Sequence, residues 1–159
     1  MVRHREDVKR MFTVAELAAL ANELAFCCPP SAAAFSVGAV LATPEGVILG
    51  QGYSRETGAA DHAEEAALAA ARAGGHDLAG ACAFVSLEPC GRRKSKPRGC
   101  AERLIEAGIK TVYFTAREPS LFVAQNGLSL LREAGVACVE LDGFADLFRR
   151  ANAHLLAPE

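Results

Sequence analysis

The 159-residue sequence predicts an α/β protein of three layers, helix–sheet–helix, built around a mixed five-stranded sheet. Three observations lead there. Apolar residues make up 51% of the chain, enough for a full core, and they recur at helical spacing in some segments and in short strand-length runs in others. Those segments follow one another in the order α-β-β-α-β-α-β-α-β-α. The later strand–helix–strand steps call for parallel pairs with right-handed crossovers, whereas the first two strands are close enough in sequence to form an antiparallel hairpin.

Each element has its own punctuation. Residues 13–26 read as the first helix, with Thr13 as cap and Glu16 three residues on, and Cys27-Cys28-Pro29-Pro30 ends it because proline breaks the hydrogen-bonded ladder. Residues 35–41 and 47–53 are apolar runs separated by Ala42-Thr43-Pro44-Glu45-Gly46, a turn-forming stretch. The alanine-rich segment 62–73 is a helix stopped by Gly74-Gly75. A strand at 82–87, a helix at 100–107 closed by Gly108, and a strand at 110–115 follow. Helix 121–134 stops at Gly135, strand 136–141 comes next, and helix 144–156 closes the chain. With no internal repeat and no low-complexity linker, residues 1–159 are expected to form one domain, its core at about 13–141.

Bulk properties narrow the function. The formal net charge of −2 supplies no general attraction for nucleic acid. No apolar stretch is long enough to span a bilayer, and the charged start MVRHREDVKRMF lacks the apolar core of a secretory signal, so a cytoplasmic protein is expected. In that compartment six cysteines read more readily as metal ligands and buried thiols than as a disulfide framework.

Two segments carry chemistry. Asp61-His62-Ala63-Glu64-Glu65 opens one predicted helix; Glu88-Pro89-Cys90 follows a strand, and Cys100 opens another helix. Zinc favours tetrahedral nitrogen and sulfur ligands, and a catalytic site uses three protein ligands and keeps one position for water. His62, Cys90 and Cys100 fit that need, and a helix N-terminus favours thiolate. The same ligand types are also compatible with iron. A structural zinc site, the rival, would need a fourth ligand from Cys27, Cys28, Cys82 or Cys138.

His-x-Glu followed by Pro-Cys and a second cysteine resembles the signature of the cytidine deaminase superfamily. The resemblance implies that fold, one zinc ion per subunit, and Glu64 as a proton shuttle that is not itself a ligand. Gly52-Tyr53-Ser54-Arg55-Glu56, His62-Ala63-Glu64-Glu65, Leu87-Glu88-Pro89-Cys90, Ile109-Lys110-Thr111-Val112-Tyr113, Glu118-Pro119, Phe122-Val123, Asn126-Gly127 and Ala134-Gly135-Val136 resemble most the riboflavin-pathway pyrimidine deaminases, the fungal type above all. The long insert between the cysteines is also similar to theirs. The resemblance implies a phosphorylated diaminopyrimidinone as substrate, in a homodimer or homotetramer. The insert carries Arg92, Arg93, Lys94, Lys96 and Arg98, which would suit a substrate phosphate; a solvated basic loop is the plainer alternative.

Further substrate contacts are expected of Ser36 and Gly38, which lie where the family has a pocket-lining strand, and of Glu88 and Asn126. Bacterial relatives carry asparagine where this chain has Ser36, a departure that bears on specificity. Glu65 reads as a helix-start charge. The chain ends at Glu159, so a stand-alone deaminase without a reductase domain is expected. The alternatives are deamination of cytosine, a cytidine nucleotide, guanine or a secondary-metabolite heterocycle. Less favoured are a tRNA-editing deaminase and a non-catalytic zinc module.

Overall fold

A computed structural model describes residues 9–91, 98–118 and 127–156. Its elements are α1 (Val14–Leu24), a 3-10 turn (Ala25–Cys27), β1 (Gly38–Ala42), β2 (Ile48–Tyr53), α2 (Ala63–Ala73), β3 (Cys82–Val85), α3 (Cys100–Glu106), β4 (Thr111–Phe114), α4 (Gly127–Glu133), β5 (Ala137–Glu140) and α5 (Ala145–Ala151). The five strands form one sheet in the order β2-β1-β3-β4-β5. The predicted mixed α/β sheet and its helix order are therefore present, with strands a residue or two shorter than the apolar runs.

The hairpin pairs Gly38 with Tyr53 and continues to Leu41 opposite Gly50, after which the register shifts. β1 is also antiparallel to β3, whereas β3–β4 and β4–β5 are parallel. β2 and β3 thus run the same way on either side of β1, and α2 crosses over between them. That second antiparallel pairing was not anticipated, because alternation reports which face a residue occupies and not which strand lies beside it.

Period-2 alternation divides the core. Ala39 and Leu41 of β1, Ala83 and Val85 of β3, and Val112 and Phe114 of β4 pack with α2, α3 and α4. Val40, Ala42, Cys82 and Phe84 face α1 through Leu17, Ala18, Ala21 and Leu24. Helix α5 serves both sides, with Phe144 beside the α1 cluster and Phe148 in the larger one. β1 is buried along its whole length, as a strand covered on both faces must be.

The predicted cap at Thr13 forms a full capping box: Glu16 N–H donates to Thr13 Oγ1 and Thr13 N–H to Glu16 Oε1, both at 3.1 Å. The predicted helix 121–134 begins outside the described residues; its described part is α4. Helix 144–156 is shorter than expected and passes into turns after Ala151.

This topology gathers the chemistry at one end of the sheet. The start of β1, the end of β2 and the end of β3 lie side by side there, as the pairings of Gly38 with Tyr53 and Ala39 with Val85 require. The chain leaving β2 leads to His62, and the chain leaving β3 leads to Cys90.

Candidate metal centre

His62 is the N-cap residue of α2, in extended conformation, and its backbone N–H donates to Glu65 Oε1 at 3.1 Å. Glu65 Oε2 also lies 4.0 Å from Arg103 of α3. The residue read as a helix-start charge therefore ties the helix that begins at His62 to the helix that begins at Cys100. Cys90 lies in the loop after β3. The backbone N–H of Cys100 donates to its sulfur at 3.3 Å, and the N–H of Ala101 donates to its carbonyl at 3.0 Å.

His62 Nδ1 stands 3.6 Å from Cys90 Sγ and 3.3 Å from Cys100 Sγ, and all three ligand atoms lie within 4.8 Å of one another. A nitrogen and a sulfur held tetrahedrally by zinc would be about 3.6 Å apart. The donor set fits zinc in both spacing and chemistry. Cys27, Cys28, Cys82 and Cys138 lie outside this cluster: the Cys28 thiol donates to the Val37 carbonyl, Cys82 is buried at the start of β3, and the Cys138 thiol is directed to the Val136 carbonyl. Among the described residues the protein offers three ligands, as a site that activates water requires.

Electrostatics divides the labour. A hydrogen bond from the Cys100 thiol, reinforced by His62 and the Cys100 N–H and opposed by burial, brings Cys90 down to about 4. Cys100 moves the other way, because it is the proton donor to Cys90 and is itself deeply buried. Glu64 is only 4% exposed, and burial pushes its carboxyl above the usual carboxylate range, against the pull of His62. Glu64 is the second residue of α2, two after His62, and its carboxyl feels His62, Cys90 and Cys100, so it lies beside the candidate metal ligands. His62 and Cys90 are half-buried, whereas Cys100 is fully enclosed, so among the described residues the cluster is reached from the histidine and Cys90 side.

A model of the cytidine and deoxycytidylate deaminase zinc-binding region matches residues 11–116. The chain belongs to this family. A diaminohydroxyphosphoribosylamino-pyrimidine deaminase of Schizosaccharomyces pombe is 36% identical over 75% of this chain and 30% of its own length. The riboflavin biosynthesis protein RibD of Actinobacillus pleuropneumoniae is 40% identical over 65% of this chain and 26% of its own. The chain thus spans about a third or less of these curated relatives. Among solved structures, a diaminohydroxyphosphoribosylaminopyrimidine deaminase/reductase from Thermotoga maritima superposes with a TM-score of 0.70 at 32% identity, covering 86% of this chain and 38% of that one. The Rib2 deaminase of Aspergillus oryzae in complex with DARIPP superposes with a TM-score of 0.74, over 86% of this chain and 88% of that one; at 24% identity it shows the shared fold. In a zinc deaminase family the three-ligand set and the buried glutamate beside it are expected together.

The other expected site residues are placed as follows. Ser36 is buried at the end of the sheet where the ligand-bearing connections emerge, and its hydroxyl accepts from Arg55 at 3.2 Å. Gly38 lies against α1, where a Cβ would stand 1.9 Å from the Ala21 carbonyl oxygen; its N–H donates to Ser86 Oγ. Glu88 is half-buried, and its carboxylate accepts the N–H of Glu118 at 3.2 Å, bracing the loop after β4. Arg92, Arg93, Lys94 and Asn126 lie outside the described residues. Arg98, at the end of the basic insert, pairs with Glu106 of α3.

Sequence reasoning did not find Asn152, whose amide is buried against Ser36, nor the work done by Arg55. In the sequence Arg55 stands out only as part of Gly52-Tyr53-Ser54-Arg55-Glu56. A cleft of about 500 Å³ also opens beyond the ends of β4 and β5, lined by Arg117, Glu140, Phe148 and Arg149 among others, and apart from the three ligands.

Proposed function

We propose that this protein is a zinc-dependent hydrolytic deaminase of an amino-pyrimidine, its substrate a phosphorylated diaminopyrimidinone precursor of riboflavin. The observation that carries the reading is the cluster of three metal ligands with the buried Glu64 against it. The names of the relatives at 36% and 32% identity support the substrate class.

The reaction exchanges a ring C–NH2 for C=O and releases ammonia, consuming one water. Zinc bound by His62, Cys90 and Cys100 would supply Lewis-acid activation of that water. Glu64 accepts a proton from the water, gives it to the ring nitrogen next to the carbon under attack, and passes the next proton to the departing amine. A carboxyl raised by burial suits both receiving and returning protons near neutral pH. Ser36, Gly38, Glu88 and Asn126 belong to the proposed substrate-contacting set. Arg92, Arg93 and Lys94 would clamp the substrate phosphate.

An ammonia-release assay on zinc-loaded protein tests this, comparing the phosphorylated diaminopyrimidinone with cytosine, cytidine, their monophosphates and guanine. Turnover of the phosphorylated compound, with KM raised when Arg92, Arg93 and Lys94 are neutralised, is the expected result. Activity confined to another compound would replace the substrate; salt-dependent binding of tRNA with editing of its bases would replace the class. Assembly as a homodimer or homotetramer in the cytoplasm belongs to the same proposal, and sedimentation of the purified protein tests its oligomeric part.

A further inference from the structure

Three consecutive residues ahead of β1 are held from the C-terminal end of the chain, outside the span matched by the deaminase family. His154 Nε2 lies 3.0 Å from the Ala34 carbonyl oxygen. The ring of Phe148 packs on that of Phe35 with centroids 5.8 Å apart. Asn152 grips Ser36 on both sides of its backbone: the Ser36 N–H donates to Asn152 Oδ1 at 2.6 Å, and Asn152 Nδ2 donates to the Ser36 carbonyl at 3.0 Å. The amide thus acts as a neighbouring strand would, satisfying both backbone groups of a residue just beyond the paired part of β1. Asn152 is completely buried, and its Nδ2 also donates to the Phe148 carbonyl at 3.2 Å, which fixes the amide plane.

Ser36 stands between the two connections that bear the ligands. Its hydroxyl accepts from Arg55, whose backbone N–H donates to the carbonyl of Asp61, the residue before His62. Gly38, two residues on, exchanges backbone and side-chain hydrogen bonds with Ser86, four residues before Cys90. A serine hydroxyl that accepts one hydrogen bond still has its own O–H to donate. Asn152 holds the backbone of Ser36, and Arg55 holds its hydroxyl.

We propose that Asn152 is a positioning residue for substrate, acting through the bidentate grip of its amide on the backbone of Ser36. The inference rests on the deaminase reading above and on Ser36 meeting the substrate there. Because His62, Cys90, Cys100 and Glu64 are held by other elements, losing the grip weakens substrate binding and leaves the chemical step intact.

The test is steady-state kinetics with metal analysis on Asn152→Ala, Ser36→Ala and the double variant, with exposed Arg150→Ala on the same helix as control. Loss of this hydrogen bonding in Asn152→Ala is expected to raise KM roughly threefold to tenfold, with kcat and zinc content near those of the parent. In the Ser36→Ala background the same change adds less than about twofold, because the two residues act as one unit. Asn152→Ser, neutral and too short to hold both backbone groups of Ser36, is expected to raise KM in the same way, and decides the matter if the alanine variant does not fold. Unchanged KM in a zinc-loaded, folded variant overturns the inference, as do additive effects or a loss of kcat together with zinc. A parent protein that turns over no amino-pyrimidine removes the deaminase reading and this inference with it, whereas parent turnover with an indifferent Asn152 removes the inference alone.

Discussion

The backbone N–H of Cys100 points at the sulfur of Cys90, 3.3 Å away, so the first turn of α3 prepares the ligand contributed by the preceding loop. With the Cys100 thiol as a second donor, Cys90 is brought down to about 4 while Cys100 is held above its ordinary range. We expect the metal-free pair to carry one thiolate and one thiol at pH 7. Zinc requires both sulfurs deprotonated, so uptake displaces one proton from the pair. We expect the affinity of the metal-free protein for zinc to rise about tenfold per pH unit from this pair at neutral pH. Titration of zinc into chelator-stripped protein in weak buffer measures it. Uptake without proton release would show that both thiols were already ionised.

Replacing Glu64 with glutamine keeps the shape and removes the proposed proton carrier. Turnover is expected to fall by about 10²–10⁴-fold or more, with zinc content unchanged. The same variant reports on stability. Burial raises the Glu64 carboxyl in the folded protein, so in the metal-free state ionisation there costs stability above the unfolded carboxylate value. The advantage of Glu64→Gln in metal-free protein is therefore present at neutral pH and disappears as the pH falls below the ordinary carboxylate range. Chemical denaturation at pH 7 and at pH 4 distinguishes this from a merely isosteric change, which would give the same difference at both.

Much of this site could be read from the sequence because its signals are local. Caps, proline and glycine stops, the positions of His62, Glu64 and Cys100 at helix starts, and that of Cys90 shortly after a strand all depend on neighbours a few residues away. The grip of Asn152 on Ser36 spans 116 residues, and nothing in the apolar pattern distinguishes that asparagine from a solvated one. The antiparallel β1–β3 pair escaped for a similar reason: the strands are short and buried on both faces, so their partners are set by tertiary packing. Arg55 lay in plain view as part of a motif, yet a lone arginine after a strand carries no sign that its guanidinium will meet backbone carbonyls.

Arg55 donates to the Pro29 carbonyl through Nε and Nη2, to the Phe35 carbonyl through Nη1 and to Ser36 Oγ through Nη2, from a backbone at φ 62°. Among the described residues it is the one non-glycine residue with positive φ, a conformation that costs an L side chain about 1 kcal/mol or more. Arg55→Ala loses the hydrogen bonds and keeps the strain, whereas Arg55→Gly loses both. Both variants are expected to be less stable than the parent, with glycine exceeding alanine by about 0.5–1 kcal/mol. Urea denaturation resolves the difference. Equal stabilities would mean that the turn relaxes once the guanidinium is gone, and that the hydrogen bonds impose the conformation.

Gly127 begins α4 against the loop that carries Cys90. A Cβ at that position would stand 2.0 Å from the Pro89 carbonyl oxygen and 3.0 Å from the Cys90 carbonyl carbon. These are backbone atoms, and no rotamer change can move them aside. Gly127→Ala must therefore push α4 outwards or displace Pro89 and Cys90. Overpacking of this kind costs about 1–3 kcal/mol. If the loop gives way, Cys90 leaves the 3.3 Å contact with the Cys100 N–H, and zinc is retained less tightly. If α4 gives way, stability falls and the ligands stay in place. We expect the loop to yield, because α4 is anchored in the core by Leu128 and Leu131, both buried. Competition of the variant with a chelator of graded strength, beside its thermal unfolding, separates the two. Weaker zinc retention with a modest loss of stability is the predicted result; normal retention with a large loss would place the strain in the helix instead.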